Sequence, residues 1–180
     1  NPDTCIKISR EALERSNKIN FKKGLIISQN NIGDVYFAKT EYDLALAYYQ
    51  KSLKIAEEIG VNEFIASILN DIGTVYKNKG EFTLASEYFQ RGLKIYEEIE
   101  HKSGINRSLT NIAVVYAYQG KLSLALEYFQ RCLKFDEDMG NKAGMIDNLT
   151  NIGNIYRAQS NYPLALEYYQ KSLKIEEELG

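Results

Sequence analysis

Leu44–Ile55 reads LALAYYQKSLKI, and Leu164–Ile175 reads LALEYYQKSLKI: 11 of 12 residues agree. Between them lie LASEYFQRGLKI from Leu84 and LALEYFQRCLKF from Leu124, each 40 residues from the next. A second phrase keeps the same period: NIGDVY at Asn31–Tyr36, DIGTVY at Asp71–Tyr76, NIAVVY at Asn111–Tyr116 and NIGNIY at Asn151–Tyr156. Self-similarity at a fixed period marks an array in which each unit buries its apolar face against its neighbours. The period also reaches backward, because Ile19, Ile59, Ile99, Met139 and Leu179 share one column. The expected division is therefore 1–23 as the second helix of a truncated repeat, then units 24–60, 61–100, 101–140 and 141–180, in one continuous array.

Each unit reads as two helices. Leu69, Ile72, Gly73 and Tyr76 fall at i, i+3, i+4 and i+7, one face of a 3.6-residue period. In the second helix of the last unit, Leu166, Tyr169 and Leu173 make the corresponding stripe. Short turns separate the two: Lys39–Thr40, Lys79–Gly80, Gln119–Gly120 and Gln159–Ser160. Gly80 and Gly120 suit a helix end that needs positive φ, and Gly60 and Gly140 end second helices. Asp43, Thr83 and Ser123 fit an N-cap or first-turn role, with Pro163 in the same column. A turn about every 20 residues excludes a coiled coil. The columns also predict the packing. Ala45, Ala85, Ala125 and Ala165 recur, as do the small residues Gly33, Gly73, Ala113 and Gly153. Bulky partners recur at Tyr49, Phe89, Phe129 and Tyr169, which predicts large side chains interlocked with small ones.

This column set of small (Gly33), Tyr (Tyr36), Gly (Gly80) and aromatic (Tyr42), then Ala (Ala45), aromatic (Tyr49) and small (Ser52), resembles the tetratricopeptide repeat over essentially the whole chain. Two features depart from that pattern. The early Trp column is Gln29, Leu69, Leu109 and Leu149. The closing Pro is replaced by Glu57, Glu97, Glu137 and Glu177, in a 40-residue unit instead of 34. The longer unit is similar to that of kinesin light chain, the Leu-Gly-Asn-repeat G-protein regulators and many bacterial sensor and regulator proteins. The resemblance implies an all-α, right-handed superhelical solenoid of antiparallel helix pairs, with the first helices lining the concave surface. It does not name a function.

Composition narrows the classes. In 180 residues, 22 basic against 24 acidic side chains give a net charge of −2, no footprint for nucleic acid and no polybasic membrane patch. No apolar run is long enough for membrane insertion. The absence of an initiator Met and of a signal-peptide pattern suggests a segment of something longer. Enzyme chemistry finds little purchase. His101, the one histidine, reads as an exposed linker residue with no nucleophile or second ligand at a readable spacing. The carboxylate groups Glu57–Glu58, Glu97–Glu98, Asp136–Glu137–Asp138 and Glu176–Glu177–Glu178 recur in every unit and read as a solvated face, whereas a catalytic pair should be singular. Flanking pairs such as Lys54–Glu58 and Glu167–Lys171 lie at i, i+4. Cys5 and Cys132 make no metal spacing and sit too far apart in such an array to bridge. Two unpaired thiols suit a reducing, cytoplasmic compartment, with a bacterial periplasm left open. The reading is non-catalytic, with no cofactor and no metal.

The asparagine preceding each isoleucine is the candidate for binding. On a helix it lies about 100° from the core-facing isoleucine, toward the groove. That column is Asn31, Asp71, Asn111 and Asn151, with Asn30, Asn70, Thr110 and Thr150 one step earlier. An Asn amide offers both donor and acceptor and can bond both polar groups of a peptide unit. Asp71 cannot donate when ionised. Similar ladders in the family grip an extended chain by its backbone. Specificity is expected from groove positions that vary between units. They are Ile27, Ser67, Arg107 and Asp147 on one side, and Asp34, Thr74, Val114 and Asn154 on the other. Phe37, Lys77, Ala117 and Arg157 follow, with Tyr118 beside them. Family members that clamp a chaperone's C-terminal carboxylate use Lys, Asn and Arg on the first helices. Asn30, Asp34, Asp71, Arg107 and Asn111 stand at those sites here, and two Asp would repel a carboxylate. The leading expectation is a protein or peptide segment bound on the concave face. The alternatives are a scaffold that self-associates through its ends or convex face, and a sensor or regulatory segment of a larger signalling kinase or cyclase.

Overall fold

The computed structural model describes residues 2–179. Among the described residues there are nine α-helices and no strand. They are α1 (Pro2–Lys18), α2 (Lys22–Ala38), α3 (Tyr42–Ile59), α4 (Asn62–Asn78), α5 (Phe82–Glu98), α6 (Lys102–Tyr118), α7 (Leu122–Met139), α8 (Lys142–Ala158) and α9 (Tyr162–Leu179). The chain divides into two compact units, Asn1–Gly104 and Ile105–Gly180.

The turns are tight for a stated reason. After each first helix, one residue takes the left-handed conformation: Thr40, Gly80, Gly120 and Ser160, at φ of 60, 79, 70 and 60°. This lets the next amide reach back to the helix. Glu41, Glu81, Lys121 and Asn161 donate to the carbonyls of Tyr36, Tyr76, Tyr116 and Tyr156, each at 2.9 Å, and so satisfy carbonyls that a helix end orphans. Second helices end the same way at Asn20, Gly60, Glu100 and Gly140. Gly60, Gly80, Gly120 and Gly140 thus do what their positions predict, but four sister positions do it without glycine. The N-caps lie two residues before Asp43, Thr83 and Ser123, at Glu41, Glu81 and Lys121, and make no side-chain cap bond. Asp43, Thr83, Ser123 and Pro163 are first-turn residues.

In the first unit, the interlock predicted from the columns is present. A Cβ on Gly33 would lie 2.6 Å from the Tyr49 ring, and one on Gly73 would lie 2.7 Å from the Phe89 ring. Each aromatic ring therefore packs directly against the facing helix at its glycine, where no Cβ would fit. Ala45 and Ala85 are fully buried. Ser52 donates to the Ile26 carbonyl at 3.0 Å, so the small column of the second helix touches first-helix backbone. Ile26, Ala56, Ile68, Ile72 and Val75 close the core.

The second unit repeats this. Gly153 faces Tyr169 at 2.6 Å, and Ala113, Ala125, Phe129 and Ile152 share one core cluster. Ser172 donates to the Ile146 carbonyl at 3.2 Å.

Eight of the fourteen tyrosines form one pair per repeat, which the sequence reading did not anticipate. Tyr36–Tyr48, Tyr76–Tyr88, Tyr116–Tyr128 and Tyr156–Tyr168 have ring centroids 5.4–5.6 Å apart. A cation lies over the second-helix ring of each: Lys51, Arg91, Arg131 and Lys171, at 4.9–5.4 Å.

Two charged positions differ from expectation. Asp136 is 1% exposed, not part of a solvated face. It accepts from the side-chain amides of Asn106 (2.8 Å), Asn141 (2.7 Å) and Asn148 (2.7 Å). His101 is not a plain exposed linker residue. It stacks on Tyr96 at 5.1 Å, and its Nδ1 accepts from the Gly104 amide at 3.1 Å, capping α6. Of the expected i, i+4 pairs, Glu167–Lys171 closes at 2.6 Å, whereas Glu58 reaches Lys22 on α2 instead, at 3.2 Å.

Candidate functional site

The asparagine column differs from six other asparagines that are tied into the fold. Asn31 on α2 is exposed, while Asn111 on α6 and Asn151 on α8 are half-buried. Their side chains make no hydrogen bond among the described residues. In contrast, Asn30, Asn70, Asn106, Asn141, Asn148 and Asn154 all have side-chain hydrogen bonds. The column thus holds amides with donor and acceptor both open. Asp71 is the exception, since its carboxylate accepts from Asn30 at 3.2 Å.

The neighbouring column turns the other way. Asn70 is 2% exposed, donates to the Ala66 carbonyl at 3.0 Å, and lies against Gly92, where a Cβ would meet its Nδ2 at 2.3 Å. Thr110 donates to the Asn106 carbonyl at 3.0 Å, and Thr150 and Ser172 share a hydroxyl hydrogen bond of 3.0 Å. One 100° step carries these residues into the helix pair. Asn30 belongs with them, its Oδ1 buried without a partner. Asn30 and Asn70 are packing residues and form no second ladder.

Part of the variation among groove positions has a packing cause. Tyr49 donates its hydroxyl to Asp34 at 2.7 Å, and Tyr169 donates to Asn154 at 2.9 Å. Burial, together with the Asp34 hydrogen bond, pushes the Tyr49 pKa up and keeps its hydroxyl protonated. Where the ring is Phe89 or Phe129, with no hydroxyl to satisfy, the corresponding positions are Thr74 and Val114. Thr74 instead donates back to the Asn70 carbonyl at 2.9 Å. The pairing follows the columns: a tyrosine hydroxyl on the second helix goes with Asp or Asn on the first, and a phenylalanine with Thr or Val.

The cations divide. Lys77 is half-buried, and desolvation lowers its pKa. It has no carboxylate partner among the described residues. Arg157 is exposed and likewise has none. Arg107 is exposed but engaged within the fold. Asp147 is exposed one turn before Asn151.

Within the second unit, α6, α7 and α8 line an open cavity of about 550 Å³. Its apolar walls are Val114, Ala117, Leu122, Phe129, Ile155 and Ala158, and its polar rim is Tyr118, Asn151, Asn154 and Arg157. Tyr118 is 66% exposed. Six residues singled out in the sequence, Val114, Ala117, Tyr118, Asn151, Asn154 and Arg157, therefore meet at one cavity. Leu122 and Ala158 also line it and carry no signal in the sequence that sets them apart from other apolar residues. Among the described residues no helix is long and apolar enough to cross a membrane, and no group of three His, Cys, Asp or Glu side chains could hold a metal ion.

Comparison with known proteins places this geometry. No curated protein matches the chain. Among solved structures, BtubC (BKLC) from P. vanneervenii superposes with a TM-score of 0.89 at 20% identity, over 96% of this chain and 72% of that one. The apo form of RapI gives 0.85 at 20% identity, over 96% and 48%. The Rap conjugation gene regulator of plasmid pLS20, solved with the Phr* peptide, gives 0.73 at 18% identity, over 88% and 44%. At these identities the likeness is one of fold. The sequence pattern described as tetratricopeptide repeat matches residues 1–58, 64–138 and 147–179. The chain belongs to the tetratricopeptide repeat family.

Proposed function

We propose that the chain is a non-catalytic protein-interaction module that holds an extended peptide or partner segment on the face of its first helices. One observation carries this reading: Asn31, Asn111 and Asn151 keep both ends of their amides open, while the asparagines around them are engaged. Asn has poor helix propensity because its side chain competes for backbone hydrogen bonds. An unengaged Asn in a helix interior contributes nothing to the fold that Ala would not. Each such amide can accept a peptide N–H and donate to a peptide C=O, which holds a backbone of any sequence. The repeat divisions 24–60, 61–100, 101–140 and 141–180, preceded by 1–23, are the units of this reading. In the first unit, Asn31 and Asp71 meet the ligand backbone, with Asp34, Thr74 and Lys77 beside them. In the second, Asn111 and Asn151 do so, with Arg107, Tyr118, Asp147, Asn154 and Arg157 around them. The pLS20 regulator, a protein of the same fold, was solved with a peptide, which is in keeping with a segment of extended chain as ligand.

The test is capture from lysate, with partners identified by mass spectrometry. The chain is compared with an Asn31→Ala, Asn111→Ala, Asn151→Ala variant after circular dichroism has shown the two fold alike. Partners lost only from the variant support the reading. Equal retention removes the column as the site.

A second reading rests on α9. Leu166, Leu173 and Leu179 are 53–57% exposed, and Tyr162 is 65% exposed. Such a surface suits self-association. Molar mass that rises with concentration in light scattering supports it, and a constant monomer mass rejects it.

A further inference from the structure

We propose that Asn148, with Asn106 beside it, accepts an N-linked oligosaccharide only before the chain folds, and that a sugar on Asn148 bars the second unit from folding. The chain is thereby one that has to fold out of reach of oligosaccharyl transfer. This inference stands apart from the peptide-binding reading.

The sequence supplies the acceptors. Asn-x-Ser/Thr with x other than Pro occurs twice, at Asn106-Arg107-Ser108 and at Asn148-Leu149-Thr150. This is the tripeptide that N-glycosylation reads, and a glycan is bulky and belongs on a surface loop. In the transfer, the side-chain Nδ2 attacks C1 of a lipid-linked oligosaccharide. An N–C bond forms, the C–O bond to the lipid diphosphate breaks, the diphosphate leaves, and Nδ2 gives up one proton.

The folded chain withdraws both acceptors. Asn106 lies within α6 and Asn148 within α8, not on loops. Asn148 is 3% exposed, and its Nδ2 donates to Asp136 Oδ2 at 2.7 Å. Space beside that oxygen is already used up, because a Cβ on Gly144 would lie 2.5 Å from it. The column of Asn148 is buried in the other units too, at Ser28, Ile68 and Ser108, so no repeat offers a way out to solvent there. The Thr150 hydroxyl, which completes the tripeptide, is engaged with Ser172 at 3.0 Å. Asn106 is half-buried, and its Nδ2 donates to Asp136 Oδ1 at 2.8 Å. Its counterparts in the first unit are the buried Ile26 and Ala66. A sugar on Asn148 would have to force α8 away from α7. That leaves a 1% exposed carboxylate short of a donor, a costly change for a buried charge. The first unit, Asn1–Gly104, contains no such tripeptide and serves as an internal control.

The experiment is cell-free translation of the full chain, fused to a cleavable signal sequence, into microsomes that carry out the transfer. Glycans are scored by an endoglycosidase-sensitive gel shift, and folding by limited proteolysis with the fragments mapped. A parallel reaction holds an excess of acceptor tripeptide, which blocks transfer to the chain. Chains glycosylated at Asn148 are expected to be cut within α6–α9 at least about tenfold faster than chains from the blocked reaction, while the first unit resists in both. The Asp136→Ala, Asn106→Ile, Asn148→Ile variant has no acceptor and should resist without the blocking peptide; should it not fold, the blocked wild-type chain still decides. Glycosylated chains as resistant as blocked ones would overturn the proposal. So would a failure of Asn148 to accept sugar, or blocked chains that are cut just as fast.

Discussion

Asp136→Ala should be among the most damaging single substitutions in the second unit. The carboxylate sits between α6, α7 and α8. Its Oδ1 accepts from Asn106 at 2.8 Å and Asn141 at 2.7 Å, and its Oδ2 accepts from Asn148 at 2.7 Å. A hydrogen bond to a charged group contributes about 1.5–3 kcal/mol net, and a buried donor left without an acceptor costs about 1–3 kcal/mol. Asn141 is exposed, so water replaces what it loses. Asn148 is 3% exposed and Asn106 is half-buried, so two donors are stranded. The expected loss is about 3–5 kcal/mol. The first unit supplies the control, because at the corresponding positions Ala56, Ile26 and Ile68 form an all-apolar cluster. Adding Asn106→Ile and Asn148→Ile to Asp136→Ala copies that cluster and should restore most of the loss, since apolar replacement of a whole buried polar group is often neutral or better. Urea titration followed by circular dichroism at pH 7 measures both variants, and hydrogen exchange over α6–α8 shows where the loss falls. A single substitution costing less than about 1 kcal/mol would refute the reasoning. So would a triple variant no better than the single.

Ala125→Leu pushes a larger side chain into a fully buried position and should cost about 1–3 kcal/mol in a thermal or urea melt. Thr40→Gly should stabilise by about 1 kcal/mol, because a β-branched residue is strained at φ 60° where Gly80 and Gly120 are not; a chemical melt checks the sign. At pH 8 a thiol reagent should label exposed Cys5 and spare buried Cys132 until denaturant is added. Burial pushes the Cys132 thiol up to about 11 from its ordinary 9.0, so little thiolate forms. The same shift fixes a sign. Its contribution to stability is full below about pH 9 and is lost as pH rises through about 11, so alkaline melts should weaken the second unit over that window.

The repeat period made the fold legible. Forty-residue spacing exposed columns, and the columns showed which small residue faces which ring, as at Gly33–Tyr49 and Gly73–Phe89. Asn31, Asn111 and Asn151 were legible as outward-facing because one helical step from a buried isoleucine leaves the core edge. The same logic failed for Asn30 and Asn70. A second step lands on the partner helix, and a sequence read one helix at a time carries no partner. Asp136 was misread for a related reason. It looked like its acidic neighbours until Asn106 and Asn148, one on the preceding helix and one on the following, were brought against it. Asp34 and Asn154 were legible as positions that vary between units, whereas the hydrogen bonds that tie them to the Tyr49 and Tyr169 hydroxyls join two helices and show only when columns are compared in pairs.

The central claim is that the open amides of Asn31, Asn111 and Asn151 hold ligand backbone. The most direct measurement is calorimetric titration of a segment captured from lysate. It would be run against the chain and against the Asn31→Ala, Asn111→Ala, Asn151→Ala variant, at matched secondary structure. The account predicts binding at least about tenfold weaker to the variant, the loss of several peptide hydrogen bonds. Equal affinity would contradict it.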